Sequence, residues 1–169
     1  MAQPGDYLPD NQEYERRFLV EDASIVNKAS SWQKIRQAYL WAEGGWAVRV
    51  RVSRSGVDDT STTAKLTLKG PRHDGHRFEF ETDVPLDAAE AVVGRAKNVI
   101  RKTRYSVVTE GDLWDIDVFE GDNEGLMIAE YEASENSVAR VKKPWWAGEE
   151  VTSRPEYDNE SLAVSPRKQ

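Results

Sequence analysis

Between Glu13 and Ala133 the chain alternates apolar and polar residues in short runs, the period of a strand whose successive side chains fall on opposite faces. In EYERRFLV (13–20), Tyr14, Arg16, Phe18 and Val20 share one face, and Glu13, Glu15 and Arg17 share the other. WAVRVRV (46–52), entered through Gly44-Gly45, sets Val48, Val50 and Val52 against Arg49 and Arg51. AKLTLKG (64–70) sets Leu66 and Leu68 against Lys65, Thr67 and Lys69, and RFEFETDV (77–84) sets Phe78 and Phe80 against Arg77, Glu79 and Glu81. IRKTRYSVV (100–108) puts Lys102 and Arg104 opposite Tyr105. LWDIDVF (113–119), after a turn at Gly111-Asp112, opposes Trp114, Ile116 and Val118 to Asp115 and Asp117. LMIAEYEA (126–133) opposes Met127, Ala129 and Tyr131 to Glu130 and Glu132. With KIRQAYLW (34–41), eight strands are predicted: 13–20, 34–41, 46–52, 64–69, 77–84, 100–108, 113–119 and 126–133.

One segment changes period. In PLDAAEAVVGRAKNV (85–99), Asp87 followed by Glu90 reads as a capping box that opens a helix over 87–98, with Ala88, Ala91, Val92 and Ala96 as its sheet-facing side. Residues 1–12, with two prolines and a glycine, read as a flexible arm, residues 13–163 as one domain, and 164–169 as a tail. PWWAGEEVTSRPEYDNESLAV is irregular, with short helices expected to cap one end.

Bulk properties narrow the class. At 169 residues the chain is long enough for a single domain with a real core. It has no cysteine, so disulfide and thiol chemistry are excluded. The opening MAQPGDYLPDNQ has neither the basic flank nor the apolar stretch of a secretory signal, and a cytoplasmic location is expected. No apolar run approaches the roughly 20 residues that span a bilayer, so no membrane partner is expected. A net charge of -7 argues against a nucleic-acid duplex as partner, though a local basic site for a small polyanion is compatible with it.

The charged strand faces carry the chemistry. Like charges repeat at i, i+2: Glu13/Glu15, Arg49/Arg51, Glu79/Glu81, Lys102/Arg104, Asp115/Asp117 and Glu130/Glu132. An open antiparallel sheet with one wet face would accommodate this pattern. Paired like charges repel, however, and make better sense with a multiply charged ligand between them. Eight strands also suffice to close a barrel around a small ligand. Acid pairs hold divalent cations through oxygen, and Arg and Lys hold phosphate. A tunnel with both suits a metal–polyphosphate complex.

With these residues in view, the chain resembles the CYTH family, also called triphosphate tunnel metalloenzymes. EYERRFLV stands where that family has Glu-x-Glu-x-Lys, and the likeness continues in order through IRQAYL, VRVRV, LTLKG, FEFE, KTRY, LWDIDVF, AEYE, PWWAGEEVT and YDNESLA. The resemblance is closest to the short bacterial inorganic tripolyphosphatases. It implies an α+β fold, an eight-stranded antiparallel closed β-barrel with a charged interior and flanking helices. It also implies a Mg²⁺- or Mn²⁺-dependent triphosphatase. On this reading Glu13, Glu15, Glu130 and Glu132 bind metal; Arg49, Arg51, Lys65, Lys69, Arg77, Lys102 and Arg104 clamp phosphates; Glu81, Asp115 and Asp117, with Glu79, complete the catalytic tunnel as secondary metal, water or orienting groups. Arg17 takes the place of the signature lysine, which with a tyrosine matching Tyr39 is expected to help place the attacking water; arginine keeps the charge but changes its shape and reach.

The expected reaction is hydrolysis of the terminal phosphoryl group of inorganic tripolyphosphate or a related triphosphate. Two alternatives share the same groups: an adenylate cyclase making cyclic AMP from ATP, and a triphosphate- or polyphosphate-binding module without turnover, motivated by Arg17. His73 and His76 read as solvent-exposed loop residues, and Trp145 and Trp146 as packing under the C-terminal segment. Apolar positions at Trp41, Trp46 and Trp114 suggest cover by a second subunit, and a homodimer is expected.

Overall fold

A computed structural model of the protein describes residues 12–56 and 61–167; the expected N-terminal arm, apart from Gln12, lies outside them. The strands are β1 (Gln12–Val20), β2 (Ser31–Glu43), β3 (Trp46–Ser55), β4 (Thr62–Lys69), β5 (His76–Asp83), β6 (Val99–Thr109), β7 (Asp112–Glu120), β8 (Met127–Glu132) and β9 (Ala147–Glu150). The helices are α1 (Leu86–Arg95), α2 (Glu135–Arg140) and α3 (Asn159–Val164). The eight expected strands are all present. β2 extends furthest beyond its predicted limits because it runs into a tight hairpin at Gly44-Gly45, whose φ angles of 57° and 83° suit glycine. The β6–β7 turn falls on Glu110-Gly111 (φ 54° and 88°), one residue before the predicted position.

Closure depends on β1 serving two neighbours. Gln12 to Tyr14 pair with β5, while Glu15 to Leu19 pair with β8. The remaining order, β5-β4-β3-β2-β6-β7-β8, is antiparallel throughout, so β1 to β8 form a closed barrel. β9 adds to the far end of β1 at Phe18 and Val20. Closure removes the exposed strand edges of an open sheet and turns one face of every strand inward.

Three apolar clusters hold the barrel. Under α1, Ala38, Val50, Val52 and Ala64 pack against Ala89 and Val93, with Val92 and Ala96 alongside. The helix face is therefore 89, 92, 93 and 96, while Ala88 and Ala91 are exposed. That rotation places the larger side chains on the sheet. The helix also starts earlier than expected, with Pro85 as N-cap. The Asp87 carboxylate accepts only from its neighbour Ala88 (2.8 Å), and Glu90 accepts from Arg36 Nη2 (2.6 Å) on β2 and so forms no capping box. It ends at Arg95, where Ala96 is extended.

On the opposite outer wall, Phe18, Val107, Trp114, Ile116 and Tyr131 are covered by Ile25 and Trp146. Trp114 is 1% exposed and packs edge-on against Trp146 at 5.4 Å between ring centroids, so it needs no second subunit; Trp41 and Trp46 do remain partly exposed. Trp146 is fully buried, while Trp145 is exposed under the Lys28 ammonium (5.7 Å). His76 lies in β5, stacked on Tyr14 at 5.3 Å, and only His73 sits in the loop.

The third cluster lies inside one end of the barrel. Tyr39, Ile100, Phe119 and Ile128 meet Val151, Tyr157 and Leu162 of the C-terminal segment, which closes that end. Of the expected tail, residue 164 ends α3, and the Arg167 N–H donates to Asn123 Oδ1 (2.8 Å) with its guanidinium over Tyr157. Among the described residues no helix is long and apolar enough to cross a membrane.

Candidate active site

The inward face of the barrel encloses a cavity of about 50 Å³ lined by charged side chains and one amide. Strand register determines which charges meet. Glu15 stands opposite Glu132, Arg17 opposite Glu130, Glu13 opposite Arg77, and Arg104 opposite Asp117.

Glu13 and Glu15 share a face of β1 at i, i+2, and Glu132 joins them across the β1–β8 ladder. Oxygens of the three carboxylates lie within 4.8 Å of one another. Burial and the neighbouring Glu13 push the Glu15 carboxyl up. Desolvation with Glu13 and Glu15 alongside raises Glu132 to about 7. Three converging, mutually repelling carboxylates offer oxygen donors alone, the donor set of a hard divalent cation. Glu130, expected as a fourth ligand, is committed elsewhere: it accepts from Arg104 Nη2 at 2.5 Å. Against the desolvation that would raise it, Arg104 and Lys102 hold its carboxyl well below the usual range.

Most bases are held by carboxylates. Asp117, with no exposed side-chain surface, receives Lys102 Nζ (2.5 Å) and both Nε and Nη2 of Arg104 (2.7 Å each). Asp115 accepts from Ser106 Oγ (2.9 Å) and Arg104 Nη1 (3.3 Å). Asp115 and Asp117 thus orient bases and lie outside the cavity lining. Lys69 Nζ lies 2.8 Å from Glu13 and 2.5 Å from Glu79. Arg77 pairs with Glu160 at 3.0 Å. Arg49 Nε donates to Thr67 Oγ1 (3.3 Å), and its Nη2 is 3.5 Å from Glu81, which also accepts from Thr67 (2.9 Å). Lys65 departs from its expected place: it is 39% exposed, pairs with Asp83 (3.2 Å) and Glu81 (3.5 Å), and does not line the cavity.

Arg51 is different. Its Nε donates to Gln37 Oε1 (3.1 Å), and among the described residues no carboxylate lies within ion-pair distance of it. Burial, with Arg49 and Arg104 close by, lowers its guanidinium to about 10. A crowd of cations around an uncompensated arginine is a site for an anion.

Arg17 and Tyr39 sit at the closed end. Arg17 Nη1 donates to the Tyr157 carbonyl (3.1 Å), Nη2 donates to the carbonyls of Thr152 (3.2 Å) and Val151 (3.4 Å), and Asp158 lies 2.7 Å away. The guanidinium thereby anchors the C-terminal segment. Tyr39 is buried in the apolar cluster, its hydroxyl accepting from Gln37 Nε2 (2.9 Å), and desolvation pushes its phenol well above the usual range. It stays protonated at any ordinary pH.

Several lining or supporting residues lie outside the expected set: Arg72, Gln37, Thr67, and Asp158 to Glu160. Asn159 Oδ1 accepts from Lys102 Nζ at 3.2 Å. The like-charge spacing of Asp158 and Glu160, the same i, i+2 pattern as on the strands, is the signal that marks them. Arg72 sits in a loop and carries no such signal.

No protein-family model matches the chain. Individual relatives do. The chain is 37% identical over 160 residues to an inorganic triphosphatase of Acetivibrio thermocellus, covering 93% of this chain and 96% of that protein. It is 32% identical over 161 residues to an inorganic triphosphatase of Nitrosomonas europaea, covering 90% and 97%. Among solved structures, the inorganic triphosphatase NE1496 superposes with a TM-score of 0.63 at 30% identity, covering 90% of this chain and 95% of that one. Identity of this order along nearly the whole length, with the closed barrel and its charged lumen, establishes that the chain belongs to the CYTH family of inorganic triphosphatases.

Proposed function

We propose that the protein hydrolyses the terminal phosphoryl group of inorganic tripolyphosphate within the barrel. The observation that carries this reading is the division of the lumen: a carboxylate trio, Glu13, Glu15 and Glu132, faces a basic wall in which Arg51 has no carboxylate partner. Phosphoryl transfer asks little covalent work of a protein, so positioning and charge neutralisation dominate. Arg51, Arg49 and Lys102 bind and orient the phosphate oxygens. Arg104, held on Asp115, Asp117 and Glu130, keeps that wall rigid. A Mg²⁺ or Mn²⁺ ion held by Glu13, Glu15 and Glu132 supplies charge neutralisation and Lewis-acid polarisation when bound. Arg17 acts by fixing the closed end.

The test is a phosphate-release screen with Mg²⁺ and Mn²⁺ across tripolyphosphate, ATP and thiamine triphosphate, with cyclic AMP scored in parallel. Release from tripolyphosphate is expected. Cyclic AMP without phosphate release would replace hydrolysis by cyclisation. Tight binding of every triphosphate with no product would replace it by binding alone, the reading that the commitment of Arg17 to the C-terminal segment favours.

A further inference from the structure

Arg72 lies in the loop between β4 and β5, immediately before a tight turn at Asp74-Gly75. His73 and His76 exchange backbone hydrogen bonds across that turn (2.8 and 3.0 Å), and the Glu15 N–H donates to the Gly75 carbonyl (2.9 Å). The backbone beside Arg72 is therefore pinned to β1, and its guanidinium can change partner only through side-chain torsions. The side chain is 10% exposed and lines two spaces, the tunnel and an outer chamber of about 490 Å³. Its Nη2 lies 2.7 Å from Glu15 Oε1 and 3.6 Å from Asp158 Oδ1, yet none of its three nitrogens makes a hydrogen bond. Arg77 also borders both spaces, but it donates to Glu160 at 3.0 Å. A buried guanidinium with five unused N–H donors is costly, and the cost vanishes once acceptors arrive.

The partner it leans on is itself in demand. Glu15 belongs to the carboxylate trio, and a divalent cation on that trio repels a guanidinium beside the same oxygen. We propose that Arg72 is an exchanging phosphate clamp. It neutralises Glu15 while no divalent cation is bound, and it turns onto a phosphate oxygen at the outer-chamber end of the substrate when a cation takes Glu15. The inference rests on the triphosphate reading above, but its two halves are measured separately.

The experiment uses the full chain with Arg72→Ala and Arg72→Lys. Titration calorimetry with Mn²⁺ alone reads the competition for Glu15, and steady-state kinetics with tripolyphosphate read the clamp. Arg72→Ala is expected to bind Mn²⁺ about tenfold more tightly, because the nearer of the two guanidinium groups on Glu15 Oε1 is gone, Arg17 Nε at 3.4 Å being the other. Its KM for tripolyphosphate is expected to rise about ten- to a hundredfold, the range for losing charge-assisted hydrogen bonds, with kcat changed far less. Arg72→Lys keeps the charge without the fork, so Mn²⁺ affinity stays near the wild-type value while KM rises severalfold. Unchanged or weaker Mn²⁺ binding in Arg72→Ala, or an unchanged KM in either variant, overturns the proposal. If the alanine variant shows no cooperative melt, the lysine variant decides through KM. Should the wild-type protein release no phosphate from any triphosphate, the functional reading fails, and the Mn²⁺ titration still decides whether Arg72 competes for Glu15.

Discussion

Lys102 has no exposed side-chain surface, an Asp117 oxygen 2.5 Å from its ammonium, and Arg104 two residues away on the same face. Desolvation dominates: it lowers the ammonium to about 8, outweighing Asp117, and Arg104 lowers it further. Below that pH the group is a cation, and above it a neutral amine. A polyanion clamp is therefore lost as pH rises through about 8, and kcat/KM for tripolyphosphate, which reports the free enzyme, is expected to fall there. Lys102→Arg should move that limb to higher pH. Stability runs the other way. A lysine depressed on folding contributes stability that is fully present above its unfolded pKa and lost as pH falls through the folded value. The wild-type chain should thus gain stability relative to Lys102→Arg between about pH 8 and about 10.5, as read by urea melts across that window. Arg51 gives a simpler test. With no carboxylate to lean on, its removal leaves little unpaired charge behind, and Arg51→Ala is expected to cost about 2 to 4 kcal/mol of transition-state stabilisation with little change in melting temperature. Unchanged turnover would remove Arg51 from the clamp.

At the scale of elements, the strands and their inward faces were legible because a period of two needs no knowledge of neighbours. What each charge does was legible only in part. Glu130 and Glu132 belong to one Glu-x-Glu run, yet Glu132 stands opposite Glu15 and joins the trio, while Glu130 falls within reach of Arg104. That difference is set by β1–β8 and β7–β8 register, which couples residues more than a hundred positions apart in the first case. Lys65 departs from its expected place for a related reason: its partners Asp83 and Glu81 on β5 hold it partly exposed and off the cavity lining. The loop's two histidines draw the eye in the sequence, yet its Asp74-Gly75 is the residue pair such a tight turn demands. Gly75 has φ 79°, and a Cβ there would sit 3.1 Å from the Glu15 carbonyl oxygen. Gly75→Ala is expected to destabilise the chain by about 1 to 3 kcal/mol, through left-handed strain and a backbone contact that cannot yield. Urea denaturation checks it. A loss below the lower figure would mean the turn relaxes, and Arg72 would then lack the fixed base argued for it.

The whole molecule separates its stabilising apolar material from its chemistry, but not equally in the outer and the inner apolar cluster. Trp146 lies outside the barrel wall against Trp114 and Phe18, remote from the lumen, whereas Leu162 lies inside the closed end with Tyr157 and Val151. Both side chains are fully buried, so truncating either removes a comparable share of core: about 3 to 5 kcal/mol for Trp146→Ala and about 2 to 5 for Leu162→Ala. Either value approaches the margin of a typical domain, and both variants should melt at clearly lower temperature. Their activities should diverge well below melting. Leu162 seats the helix that carries Asn159 and Glu160, the groups that touch Lys102 and Arg77 from the C-terminal side, and Arg17 grips the same segment through Tyr157 and Asp158. Loosening it frees two tunnel bases from their supports, so Leu162→Ala should raise KM for tripolyphosphate several-fold at a temperature where Trp146→Ala remains wild-type in kinetics. Equal kinetics in the two variants at matched folded fractions would mean that the C-terminal segment closes the barrel without shaping its charged interior.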